Sequence, residues 1–218
     1  MQPVSETYDV MEPEQRETAI EAARSALRRG EPVVLPTDTV YGIGVDAFSP
    51  QAVAVLLAAK GRSRTMPPPV LIARAEVMDA LATDIPESAR ELASAFWPGA
   101  LTLILHAQPS LAWDLGETRG TVALRMPADE VALDLLGEVG PMAVSSANRT
   151  GSPAATTAAA AQQMLSESVA VYLNDGERSQ QQASTIVDCT SGSPTVVRQG
   201  AIPLHELQAV VAEVAASE

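Results

Sequence analysis

What most constrains this chain is a train of short apolar runs separated by helix signals. PVVLP (32–36), PVLIA (69–73), LTLILHA (101–107), TVALRMP (121–127) and PMAVSS (141–146) have the length and residue types of buried strands. Between them lie amphipathic or alanine-rich stretches with helix boundaries. PEQRETAIEAARSALRRG begins with Pro13, carries acids early and arginines late, and stops at Gly30. SPQAVAVLLAAKG (49–61) has Ser49 as N-cap, Pro50 at the first helical position and Gly61 as C-cap. Further helices are expected at about 76–82, 86–96 and 128–137, with an alanine-rich one after the polar loop 146–157. Strands VAVYL (169–173), STIVDC (184–189) and PTVVRQ (194–199) then follow without helices between them, and a tail helix is expected over 203–216. Such alternation predicts an α/β fold, and the late strands make the sheet mixed. With no internal repeat or low-complexity linker, residues 13–218 read as one domain behind a mobile leader at 1–12.

Charge narrows the function. Twenty-seven acidic residues against 14 basic give a formal charge of −13, which opposes nonspecific nucleic-acid binding but not the local binding of a small anion. The single cysteine, Cys189, excludes an intrachain disulfide and suits a reducing compartment. No apolar run approaches the roughly 18 residues of a membrane span, and the N-terminus lacks the features of a signal peptide, so a cytoplasmic location is expected. GxxxxGK[ST], HExxH and GxSxG are absent. GIGVDA (42–47) matches a dinucleotide-binding pattern only superficially: PTDTVY before it is too polar for a buried first strand, and the next helix signal comes after the pattern. His106 and His205 have no evident partners and read as structural.

Against that acidic background, KGRSR places Lys60, Arg62 and Arg64 within five residues, and Lys60 is the only lysine in the chain. A cation in the last turn of a helix stabilises the macrodipole by about 0.3–1 kcal/mol, and the arginines could be merely solvated. Arginine would serve a helix end equally well, so a compact ammonium used once points to a geometric demand. The prolines of TMPPP restrain the segment, and clustered cations on a restrained loop suit a polyphosphate. Two strand ends, LPTDTVYGIG (35–44) and SSAN (145–148), carry small hydrogen-bonding side chains. Each alone would be an ordinary turn, with Gly42 and Gly44 taking unusual backbone angles; together they suggest a shared ligand cleft.

Taken in order, PTDTVYGIGVDA, KGR before a proline-rich turn, FWPGALTLIL, TVALRMP, SSAN with TGSPAATTA, STIVD and VVRQG resemble the YrdC/Sua5 family of threonylcarbamoyl-AMP synthases, from about Gly30 to Ile202. The resemblance implies a single domain with a twisted sheet around a deep concave cleft, similar to the family's short type. It implies conversion of L-threonine, bicarbonate or CO2, and ATP into threonylcarbamoyl-AMP and pyrophosphate. That product serves the N6-threonylcarbamoyl modification of tRNA beside the anticodon. By motif, Lys60, Arg62, Ser146 and Asn148 fall at nucleotide-binding positions, with Lys60 and Arg62 the candidate catalytic pair. Arg64, Thr121 and Arg198 fall where members contact ATP, and Thr37, Arg125 and Ser184 at the threonine pocket, Arg125 facing the carboxylate. Mg²⁺ would accompany ATP without a protein metal site or a permanently bound cofactor. A tRNA threonylcarbamoyl transferase would act downstream, direct tRNA binding is left open, and no membrane is involved. MPPPV replaces the commoner turn, so its threonine contacts are not carried over; SSAN replaces Pro-Ser-Ala-Asn, and Ala154 stands where some members have serine, so any contact there is through backbone or lost. The alternative is a noncatalytic tRNA- or double-stranded-RNA-binding or ribosome-maturation factor using the same cleft. A hydrogenase-maturation enzyme that adenylates free carbamate would need a far longer, cysteine-rich chain.

Overall fold

A computed structural model describes residues 5–179 and 182–216. In chain order the elements are β1 (Glu6–Asp9), α1 (Pro13–Arg28), β2 (Val33–Leu35), β3 (Gly42–Asp46), α2 (Pro50–Lys60) and β4 (Val70–Leu71). They continue with α3 (Met78–Leu81), β5 (Ala82–Thr83), α4 (Glu87–Phe96), β6 (Leu101–Ala107), β7 (Thr121–Arg125) and α5 (Glu130–Val139). The last are β8 (Met142–Ser146), α6 (Ala158–Leu165), β9 (Val171–Asn174), β10 (Thr185–Asp188), β11 (Thr195–Arg198), α7 (Leu204–Val210) and β12 (Ala215–Ala216). The strands form one mixed sheet in the order β1-β9-β2-β3-β8-β4-β7-β6-β10-β11-β12, with β5 paired to β6. The α/β expectation holds, and helices cover both sides of the sheet.

Local chemistry accounts for the elements. On α1, Ala19, Ala23, Ala26 and Leu27 recur at helical spacing and are buried, while Arg16 and Arg24 reach Asp134 and Glu138 of α5. On α2, the Ser49 hydroxyl accepts from the Ala52 amide and Gly61 closes the helix at φ 61°, as the sequence predicts. Strands β6 and β7 alternate. Leu101, Leu103, Leu105, Val122 and Leu124 enter the core with α2, α4 and α7, leaving Thr102, Ile104, Thr121, Ala123 and Arg125 on the opposite face.

Three expectations need correction. Residues 6–9, expected in a mobile leader, form β1, which pairs in parallel with β9 while Val10 enters the core; residues 1–4 lie outside the described residues. The tail helix stops at Val210. Buried Val211 and Val214 turn the chain back, and β12 pairs with β11 instead of continuing the helix to 216. GIGVD is a strand, not a strand-end turn. Its glycines answer to crowding, not to backbone angle: a Cβ on Gly42 would lie 2.6 Å from Val144 Cγ1, and one on Gly44 2.7 Å from Met142 Cε.

Candidate active site

The sheet face opposite the α4–α7 core opens into a cavity of about 260 Å³. Seven of the ten sequence-predicted site residues line it: Thr37, Arg62, Thr121, Arg125, Ser146, Ser184 and Arg198. Pro67, Pro68 and Pro69 form part of its wall. Lys60, Arg64 and Asn148 are not in its lining.

The placement of Lys60 answers why a lysine stands there. Its side chain is buried, and the ammonium donates to the backbone carbonyls of Ser146 and of Asn148 (2.7 Å), with Asn148 Oδ1 at 3.5 Å. Asn148 Nδ2 donates in turn to the carbonyls of Arg149 and Ser152. The last turn of α2 thus grips the SSAN loop from behind, where a planar guanidinium would not fit three converging oxygens. Burial, and secondarily the charge of Arg62, push the Lys60 ammonium down to about 8. It therefore carries its charge at neutral pH. Arg64 turns outward to Asp114, its Nη2 donating to both carboxylate oxygens at 2.8 and 3.0 Å. The Glu117 amide donates to the Arg64 carbonyl at 2.8 Å, so the basic loop and the 114–117 segment form one wall.

The cleft arginines differ from one another in how far they are neutralised. Arg125 is answered by a carboxylate: Nη2 donates to Asp38 Oδ1 at 2.6 Å, Nη1 to Thr39 Oγ1 at 3.1 Å and Nε to the Gly99 carbonyl at 3.0 Å, three of its five N–H groups. Hydroxyl counting fixes the rest of this wall. Thr37 has one proton, which goes to the Val40 carbonyl at 2.6 Å. The 3.0 Å bond between Thr37 and Thr39 must therefore be donated by Thr39. Arg125, Thr39, Thr37 and Val40 form a one-way chain in which neither threonine has a proton left over. Asp38 also accepts the Ala128 amide.

Arg62 and Arg198 are different. Among the described residues neither pairs with a carboxylate. Arg62 donates through Nη1 to Ser145 Oγ at 2.7 Å, and its buried Nε has no partner. Arg198 Nη2 donates to the Ser184 carbonyl at 2.7 Å and to Ser184 Oγ at 3.1 Å, and among the described residues Nη1 has no partner. Burial lowers the pKa of both guanidinium groups, and for Arg198 the charges of Arg125 and Arg62 lower it further. Mutual repulsion of this kind is relieved when an anion enters.

Sequence reasoning found the arginines but missed Asp38, Thr39, Thr102 and Ser145 as individual contributors. Asp38 and Thr39 lay inside a stretch read only as a hydroxyl-bearing loop. Thr102 was legible as the one hydroxyl in LTLIL, at a period-two position facing away from the leucines. Among the described residues no group of three His, Cys, Asp or Glu side chains could hold a metal ion, and no helix is long and apolar enough to cross a membrane.

Fold and cleft together define an α/β domain with an arginine-lined pocket on one sheet face, suited to an anionic small molecule. The chain belongs to the Sua5/YciO/YrdC family, whose sequence profile, described as Telomere recombination, matches residues 25–200. It is 51% identical over 214 residues to a Mycobacterium tuberculosis protein provisionally named threonylcarbamoyl-AMP synthase, covering 98% of this chain and 99% of that one. It is 37% identical to the threonylcarbamoyl-AMP synthase of Pyrococcus abyssi, across 91% of this chain and 58% of that longer one. The crystal structure of Pyrococcus abyssi Sua5 complexed with L-threonine superposes with a TM-score of 0.87 at 37% identity, over the same 91% and 58%.

Proposed function

We propose that this protein is a threonylcarbamoyl-AMP synthase acting in the tRNA-modification route. The observation that carries the reading is the pair Arg62 and Arg198, two guanidinium groups without carboxylate partners on one cleft of an acidic protein. The name and the L-threonine complex of the relatives supply the substrate class.

In this reading the amine of L-threonine captures CO2, formed from bicarbonate, to give a carbamate and a proton. A carbamate oxygen then attacks the α-phosphorus of ATP, the bond to the bridging oxygen breaks, and pyrophosphate leaves. No side chain need act as nucleophile. Arg62 and Arg198 neutralise the anionic reactants, and Lys60 acts from behind by fixing the Ser146–Asn148 loop beside the nucleotide. Positioning and charge stabilisation then supply the acceleration. Among the described residues the cleft lining includes no Asp or Glu, and Mg²⁺ would come as a companion of the triphosphate. The product, a reactive mixed anhydride, would pass to a tRNA threonylcarbamoyl transferase.

The test is mass spectrometry after incubation with Mg-ATP, L-threonine and bicarbonate, each omitted in turn. A threonylcarbamoyl-AMP mass that requires all three is expected. Arg62→Ala should lower the rate by about 10²-fold, the typical cost of removing one preorganised charge contact. A folded wild-type protein that makes no product would overturn the reading and return the cleft to the noncatalytic RNA-binding alternative.

A further inference from the structure

We propose that Thr102 is a positioning residue of the cleft, acting through Ser184 to aim a hydroxyl donor at a carboxylate oxygen of the amino-acid substrate. This rests on the substrate reading above and adds to it a residue that reading does not use.

Thr102 sits on β6 between Leu101 and Leu103, both in the core, and is itself 1% exposed. Valine has nearly the same shape and suits a buried strand at least as well, so folding does not require the hydroxyl. A buried hydroxyl costs free energy unless bonded. Thr102 Oγ1 lies 2.7 Å from Ser184 Oγ, across the parallel pairing of β6 with β10, in which Thr102 stands opposite Ile186. The two hydroxyls together carry two protons. One is used in their mutual bond. Among the described residues the other finds no acceptor, because the remaining contacts of Ser184 Oγ and of the Ser184 carbonyl are donated to them by Arg198. Ser184 is only 5% exposed, and both residues line the cleft, so the spare proton can be satisfied only from within it.

Either hydroxyl can donate in the mutual bond, and the proposed arrangement has Thr102 as the donor. Ser184 Oγ already accepts from Arg198 Nη2; if Thr102 donates to it as well, both lone pairs are filled and its own proton points into the cleft. Beside it stands Arg198 Nη1, without a partner among the described residues. The combination consists entirely of donors, one of them cationic, and it selects an oxyanion over a neutral or cationic group. The opposite wall is the weaker anion site: the charge of Arg125 is met by Asp38, and the Thr39–Thr37 chain ends on a carbonyl. The amino-acid carboxylate is thereby assigned to the β6–β10–β11 wall.

Calorimetric titration of the full chain with L-threonine tests this. Thr102→Val is expected to bind about 5- to 10-fold more weakly than wild type, the worth of one oriented hydrogen bond, and Thr102→Ser to stay within about 2-fold. In the complete reaction Thr102→Val should raise KM for L-threonine with kcat and KM for ATP nearly unchanged. Wild-type affinity in Thr102→Val would overturn the inference, as would equal losses in Thr102→Val and Thr102→Ser, or a parallel rise in both KM values. A wild-type chain that binds no L-threonine would sink the substrate reading first, a failure visible before any variant is made.

Discussion

Lys60 lies outside the cleft lining, yet it holds a loop that belongs to it. Its ammonium satisfies carbonyl oxygens of the SSAN loop, so Lys60→Met should leave buried acceptors unpaired, at about 1–3 kcal/mol, and let Ser146 drift. Nucleotide affinity and melting temperature should fall together; unchanged values of both would refute the anchor. Titration gives a sharper signature. The folded pKa, about 8, lies below the ordinary 10.5, so between these values the unfolded chain binds more protons and stability from this group rises with pH. The cost of burying the charge is full below about pH 8 and is lost towards 10.5. Activity should move the other way, declining as the ammonium loses the third donor that holds the loop. Wild-type activity falling near pH 8, while stability relative to Lys60→Met climbs, would mark Lys60 as the titrating group; a flat difference would exclude it. The sequence flagged Lys60 through its singularity. It did not show which oxygens it meets, because they belong to a strand end more than 80 residues away and two of the three are backbone carbonyls.

At the scale of elements, what was legible followed local rules. Pro50, Ser49 and Gly61 delimit α2 through chemistry within a few residues, and the period-two pattern of LTLILHA separates core from cleft. What escaped depended on partners. GIGVD has two glycines and reads as a turn, yet it pairs with β2 on one side and β8 on the other. The reason lies in Val144, whose methyl group occupies the space a Gly42 side chain would need. Gly42→Ala should therefore overpack the β3–β8 contact and cost about 1–3 kcal/mol. At about 2–4 °C per kcal/mol for a chain of this size, the loss should be visible in a thermal melt. A melting temperature equal to wild type would show that the sheet yields there. β1 and β12 escaped for the same reason: four- and two-residue strands carry too little pattern of their own and are specified by the edges they cover.

Over the whole molecule, charge separates the two functional readings. The formal charge is −13, yet the cleft holds Arg62 and Arg198 unopposed by acids among the described residues, with Asp38 answering Arg125 alone. A nucleotide is small enough to sit inside this cleft, within a Debye length of about 8 Å at physiological salt, and so feels mainly the local cations. A tRNA is not: its backbone would extend over a surface that repels it, and of only seven aromatic residues Tyr41, Trp97 and Tyr172 are buried and cannot serve as stacking platforms. The expected outcome of an electrophoretic titration at about 150 mM salt is thus no specific complex with tRNA and, at most, the roughly 10⁻⁴–10⁻⁶ M affinity of nonspecific contacts. ATP affinity should meanwhile depend on Arg62. Submicromolar tRNA binding that persists in Arg62→Ala would locate an RNA surface outside the cleft and reverse the argument from net charge. Tight binding abolished by Arg62→Ala would instead make the cleft itself the RNA site, and the adenylate chemistry would have to be abandoned unless the product mass were also found.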